Sequence, residues 1–281
     1  MRRGSPYVYA VLALASLIGV VAFVYPFFLM SGEQAVSAEQ ALQLQQAPLL
    51  TIVIVVLCLG AILATLGSGV MNSKMVAILG MLTAVNAVLR ALPGPAGFSA
   101  VFVLPILAGY AYGATFGFLL GSLSLLASAL IGGGVGPWLP YQMMTVGWVG
   151  MAAAWIPRLE RWPRLELAVL TACGLVWGLL FGAIMNVWFW PFIFQPAQVE
   201  IYWAPGMGLG EVLQRYALFY LLTSLWWDVG RAVGNALLIG LLARPLLALL
   251  RRFERRFYYE WSAPPVETPP EPALPGGAPP V

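Results

Sequence analysis

LAGYAYGATFGFLLGSLSLLASALIGGGVGPWLPYQM, residues 107–143, is the stretch that decides how this chain is read. If residues 98–134 formed one helix it would be about 55 Å long, against a bilayer hydrocarbon core of about 30 Å. The segment must therefore turn back on itself, and Gly113 to Thr115 is where it can. Gly109, Gly113, Gly117 and Gly121 recur every fourth residue, leaving a bare helix face that another backbone can approach closely. Gly132, Gly133, Gly134, Gly136, Pro137 and Pro140 then end the second helix, and the break carries Trp138, Tyr141 and Gln142. An irregular backbone at the membrane edge, furnished with aromatic and amide groups, suits a small-molecule site.

The surrounding chain agrees with a membrane setting. Of its 281 residues 61% are hydrophobic and 9% charged, too few polar groups to cover a water-facing surface. There is no histidine, one lysine (Lys74) and one aspartate (Asp228), and the two cysteines, Cys58 and Cys173, lie far apart in apolar runs. That composition predicts no metal site, no haem and no cysteine-histidine catalytic pair, hence no cofactor. The net charge of +3 comes from arginines at the edges of apolar runs and predicts a lipid bilayer, not a nucleic acid, as the partner surface.

Apolar spans are expected at about 7–30, 48–67, 75–92, 98–112, 115–134, 141–156, 167–192 and 216–249, an all-α polytopic protein of about eight transmembrane helices. With eight spans both termini share a side. That side collects Arg2, Arg3, Lys74, Arg158, Arg161, Arg164, Arg244, Arg251, Arg252, Arg255 and Arg256, while the opposite loops carry Arg215 beside Glu33, Glu39, Glu200 and Glu211. Lys and Arg mark cytoplasmic loops, so both termini are expected in the cytoplasm of a bacterial cell. Residues 257–281, rich in proline, read as a disordered cytoplasmic tail, and the arginines and aromatics just before it suit an anionic inner leaflet.

The PGPAGF loop, the LAGYAYGATFGFLLGSLS hairpin and the GPWLPYQM turn resemble the substrate-binding S component of energy-coupling factor (ECF) vitamin transporters. NVWFWPF and TSLWWDVGRAVGNALL are most similar to the cobalamin-type group. The resemblance divides the chain into an N-terminal helix pair (1–74), a six-helix core (75–256) and the tail. It implies a subunit that captures a vitamin at its outer face and works with a transmembrane coupling subunit and two ABC-type ATPases, itself hydrolysing nothing. A corrinoid is the favoured substrate, with riboflavin or another flat vitamin as the alternative. The resemblance also implies docking of the coupling subunit through the small residues Ala77, Gly80 and Ala84. The helix pair at 7–67 departs from the family pattern; it could pack on the core, take a partner's place or support assembly.

Candidate binding residues follow from the topology. Asn86 and Arg90 share a helix face, with Arg90 near the outer end, facing the bundle or snorkelling to the interface. Asp228 and Arg231 lie three apart on a helix running inward from about residue 216, which puts Asp228 about 18 Å deep at 1.5 Å per residue. Two charges at that depth are expected to pair, with Arg90 as the alternative partner for Asp228. Trp138, Tyr141, Gln142, Asn186, Trp188 and Trp227 sit near outer span ends, where both a flat ligand and an aromatic belt are served by such side chains. An intramembrane transferase would need paired carboxylates for magnesium, and a lone Asp228 beside Arg231 is a poor start. A non-catalytic assembly protein remains the other class that the additional helices allow.

Overall fold

The computed structural model describes residues 6–29, 35–67, 71–91, 94–95, 98–192 and 200–257. Arg2, Arg3, part of the PGPAGF loop, and the tail beyond residue 257 lie outside the described residues. All regular elements described are helical: α1 (Pro6–Val24), the single turn α2 (Pro26–Leu29), α3 (Ala35–Gly67), α4 (Ser73–Ala91), α5 (Val103–Tyr112), α6 (Ala114–Ser128), α7 (Leu139–Ala153), α8 (Pro163–Phe189), α9 (Leu209–Thr223) and α10 (Leu225–Phe257). Six of them contain stretches long and apolar enough to cross a bilayer: α1, Pro48–Gly67 of α3, α4, Ala114–Gly133, α8, and Leu225–Glu254 of α10. The 15-residue α7 and the stretch Ala100–Tyr112 are shorter than the ~20 residues a span ordinarily takes.

The hairpin forms where its length demands. α5 ends at Tyr112, Gly113 takes φ 103°, a value that L side chains rarely adopt, and α6 starts at Ala114. Gly109 of α5 and Gly117 of α6 both pack against the backbone of Gly150 in α7, and a Cβ on either would overlap the Gly150 carbonyl oxygen. Gly121 makes the same approach to Val146. Three helices thus meet backbone to backbone, with Ile106, Leu107, Leu119, Leu120 and Val149 fully buried around the junction.

α8 and α10 use a second glycine row. Gly174 receives Ile239, Gly178 the backbone of Ala232, and Gly182 the carboxylate of Asp228, so that row is consumed inside the chain. At the arginine-rich end of the bundle, Glu166 of α8 accepts from Tyr110 of α5 at 2.6 Å and from Arg251 of α10 at 2.5 Å, while Arg158 donates to the Ala111 carbonyl at 2.6 Å. These polar contacts fix the hairpin's turn against α8 and α10.

The last span differs from the expectation in one respect that moves the charged pair. It is not continuous from residue 216: it breaks at Ser224, whose φ is −119°. The Thr223 hydroxyl donates back to the Phe219 carbonyl at 2.7 Å, and Asn186 holds the Ser224 hydroxyl at 2.6 Å, both competing with a straight helix. Asp228 consequently lies in the first turn of α10, opposite Gly182. α8 ends at Phe189, so Asp228 sits about 10 Å from that end, nearer the bundle's aromatic end than the ~18 Å the sequence suggested.

The N-terminal pair packs on the core. Trp148 of α7 donates to Ser16 of α1 at 3.1 Å, and Phe23 meets Tyr141 edge to face at 5.0 Å. α3 lies beside α1, α6 and α7. On the polar side of Pro48, which the sequence reading left outside the second span, the backbone is helical from Ala35. Gly150→Ala is expected to lower stability by about 1–3 kcal/mol through overpacking, seen as a lower melting temperature in detergent. Gly80→Ala, inside α4 with nothing within 4 Å of the added carbon, should keep or slightly raise it.

Candidate functional site

At the aromatic end, a cavity of about 380 Å³ opens between α4, the glycine break after α6, α7, α8 and α10. Its wall includes Arg90, Ser99, Phe102, Gly133, Gln142, Phe181 and Arg231. Two further hollows lie at the arginine-rich end. One, of about 150 Å³, surrounds the Glu166–Arg251 pair; the other, of about 580 Å³, is a shallow surface around Trp162 and Arg244. The first is small and walled by the Glu166–Arg251 ion pair, and the second has little polar lining, so the cavity at the aromatic end is the candidate.

The break builds one wall. After Ser128 the chain widens into a π turn, Ala129–Gly133, with Gly132 at φ 124° and Gly134 at φ 85°. A Cβ on Gly133 would collide with the Arg90 guanidinium, so this glycine makes the space that the arginine fills. Arg90 reaches across from the last turn of α4 and donates to the Ser128 hydroxyl at 3.2 Å and to Gln142 Oε1 at 2.8 Å. Asn86, one turn earlier, is fully buried and donates to the Val101 carbonyl at 3.0 Å, fixing the chain just before α5 to α4.

α10 and α8 build the opposite wall. Arg231 pairs with Asp228 Oδ1 and lies over the Phe181 ring, 5.0 Å from its centre. Asp228 is 2% exposed and its carboxylate occupies the notch left by Gly182. The pair anticipated from the i, i+3 spacing is therefore formed, and Arg90 stands on a different wall with neutral oxygen partners. The Ser99 hydroxyl, also in the cavity wall, has no hydrogen-bond partner among the described residues.

The structure thus brings Arg90, Gln142 and Arg231 together around one space, with Asn86 and Asp228 holding its walls. Other anticipated residues stand apart from it. Tyr141 is buried between Phe23 of α1 and Trp188, whose rings lie 5.0 and 5.1 Å away. Asn186 is spent on Ser224. Trp138 packs on Gly136 and is 40% exposed, and Trp227 is 58% exposed on the outside of α10. Ser99, Ser128 and Phe181 were not singled out from sequence, and Gly133 was named there only as part of the helix break. Ser128 immediately precedes the π turn that holds the break and could have been found from it, whereas nothing distinguishes Phe181 from the other aromatics of α8.

Ala77, Gly80 and Ala84 lie on an exposed face of α4 with Met81, Val85 and Val88, and no atom outside α4 comes within 4 Å of a carbon placed on Gly80.

A family model described as ECF transporter, substrate-specific component, matches residues 74–243, from the start of α4 well into α10. No curated protein and no solved structure matches the chain.

Removing one partner of a buried ion pair leaves the other charge uncompensated, so Asp228→Leu alone is expected to cost about 3 kcal/mol. Adding Arg231→Met should recover most of that loss. Chemical denaturation of the two single variants and the double variant in mild detergent measures the coupling.

Proposed function

The chain belongs to the substrate-specific components of ECF transporters, and we propose that its Arg90–Gln142–Arg231 cavity is where it captures a vitamin from outside the cell. Members of this family are the substrate-binding subunits of ECF transporters and work with coupling and ATPase modules, so this chain binds and presents a substrate, and ATP hydrolysis belongs to its partners. The single observation that carries the location is the cavity itself. It is concave, walled by five elements of the core that the family model covers almost entirely, and it gathers convergent polar groups at the end opposite the arginine-rich loops.

Outward orientation rests on charge. Lys74, Arg158, Arg161, Arg164, Arg244, Arg251 and Arg252 gather at the far end from the cavity, and such clusters mark the cytoplasmic side. In the eight-span reading, α5 and α7 cross as short helices; both are largely buried among their neighbours, which relieves them of spanning lipid on their own. The termini are then both cytoplasmic.

A corrinoid is the substrate to which the GPWLPYQM and TSLWWDVGRAVGNALL resemblance points. The cavity argues for something smaller. At about 380 Å³ it lies near the lower end of the ~300–1,000 Å³ of ligand pockets, and a corrinoid is several times too bulky unless the glycine break at 132–138 moves aside. A one- or two-ring vitamin fits it as it stands.

Docking of the coupling subunit belongs on α4. The face carrying Ala77, Gly80 and Ala84 is uncovered and lets a second helix approach closely. α1 and α3 lie against α6, α7 and α8 instead, and so leave that face open.

The test is retention from a mixture. Purified chain incubated with equimolar water-soluble vitamins, corrinoids included, and then washed is expected to keep one of them without nucleotide, identified by mass spectrometry. Gly80→Leu should retain it equally but lower uptake into vesicles containing the coupling subunit and ATPases by roughly tenfold or more. Retention of none would overturn the capture reading.

A further inference from the structure

Arg90 is charged, half-buried and in the wall of the cavity, yet no carboxylate lies within ion-pair distance of it among the described residues. Its two hydrogen bonds go to neutral oxygens, the Ser128 hydroxyl and the Gln142 amide. A guanidinium has five N–H donors, so these contacts aim the group without neutralising it and leave donors to spare. The other cation of the cavity is in a different state. Arg231 is compensated by Asp228 and steadied on Phe181, and it adds donors to the wall but no net charge. Among the described residues the cavity therefore carries one uncompensated positive charge, and its wall also holds the Ser99 hydroxyl, which lacks a partner there.

A half-buried cation without a counter-charge is unfavourable, and a bound anion would neutralise it while gaining charge-assisted hydrogen bonds. The site is built to keep Arg90 where it is: Gly133 has no side chain to displace it, and two acceptors from separate helices fix its plane. A neutral ligand can accept hydrogen bonds from these donors but leaves the charge unneutralised and seals it away from water.

We infer that the substrate is a small oxyanion-bearing molecule, a carboxylate or phosphate ester of one- or two-ring size, whose charged group is bound by Arg90. This rests on the capture reading above and narrows it, because it disfavours both an uncharged corrinoid and free riboflavin.

Matched pairs separate charge from shape. Binding to the full chain in lipid nanodiscs is measured by calorimetry for biotin against biotinamide, lipoate against lipoamide, nicotinate against nicotinamide, pantothenate against panthenol, and pyridoxine 5′-phosphate against pyridoxine, with riboflavin, cobalamin and cobinamide alongside. The expected result is that the tightest binder is an acid and that its neutral counterpart binds roughly 10- to 100-fold more weakly. Arg90→Gln should then bind both members about equally, and Arg90→Lys should keep part of the preference. The wild-type comparison stands even if a variant fails to fold. A tightest binder that is neutral, or an acid and its counterpart that bind alike, would overturn this inference and leave the capture reading intact; binding by no compound would overturn both.

Discussion

Close contact between three backbones, at Gly109, Gly117 and Gly150, is the constraint on which the rest of the structure depends. In lipid there is little hydrophobic gain from bringing one apolar helix to another, so close packing of small residues has to supply the attraction. Here it draws the end of α5, the start of α6 and the end of α7 together beside the hairpin turn, and the positive φ of Gly113 lets two of them form a hairpin with no connecting loop. The chain just before α5 lies against the last turns of α4, where Asn86 catches the Val101 carbonyl.

The cavity is the consequence at the other end of the same helices. α6 and α7 are tied at Gly117 and Gly121 but part where α6 loosens into its π turn and three successive glycines. Arg90 from α4 reaches into that opening and binds one group from each helix, Ser128 and Gln142. From the far side, the α8 glycine row lets α10 approach closely enough for the Asp228 carboxylate to fill the Gly182 notch, which sets Arg231 over Phe181. Tight packing below and broken helices above are thus two parts of one design: a rigid base and a polar mouth.

Much of this was legible in the residues. The hairpin followed from length alone, since one helix from 98 to 134 could not fit a bilayer, and the pairing of Asp228 with Arg231 followed from their spacing. The break at Ser224 was hidden because Thr and Ser are unremarkable in an apolar run until their hydroxyls find backbone or amide partners. The aromatic residues were harder still. Tyr141 and Trp188 sit at span ends in the sequence just as a ligand platform would, but Phe23 from the N-terminal helix covers Tyr141, and nothing in the local pattern announces a neighbour so distant in the chain. Arg90 was readable as a cation near the mouth; that its partners would be neutral was not, because Ser128 and Gln142 reach it only through the folded hairpin.

The central claim is that the space between Arg90 and Arg231 faces outward and receives the substrate. Ala91 lies in its wall, is exposed, and can report on both points. In a chain with Cys58 and Cys173 replaced by alanine and Ala91 by cysteine, a membrane-impermeant maleimide added outside intact cells should label the new thiol, and the vitamin retained by the purified protein should block that labelling. Labelling only from the cytoplasmic side, or labelling unaffected by the bound vitamin, would contradict the account.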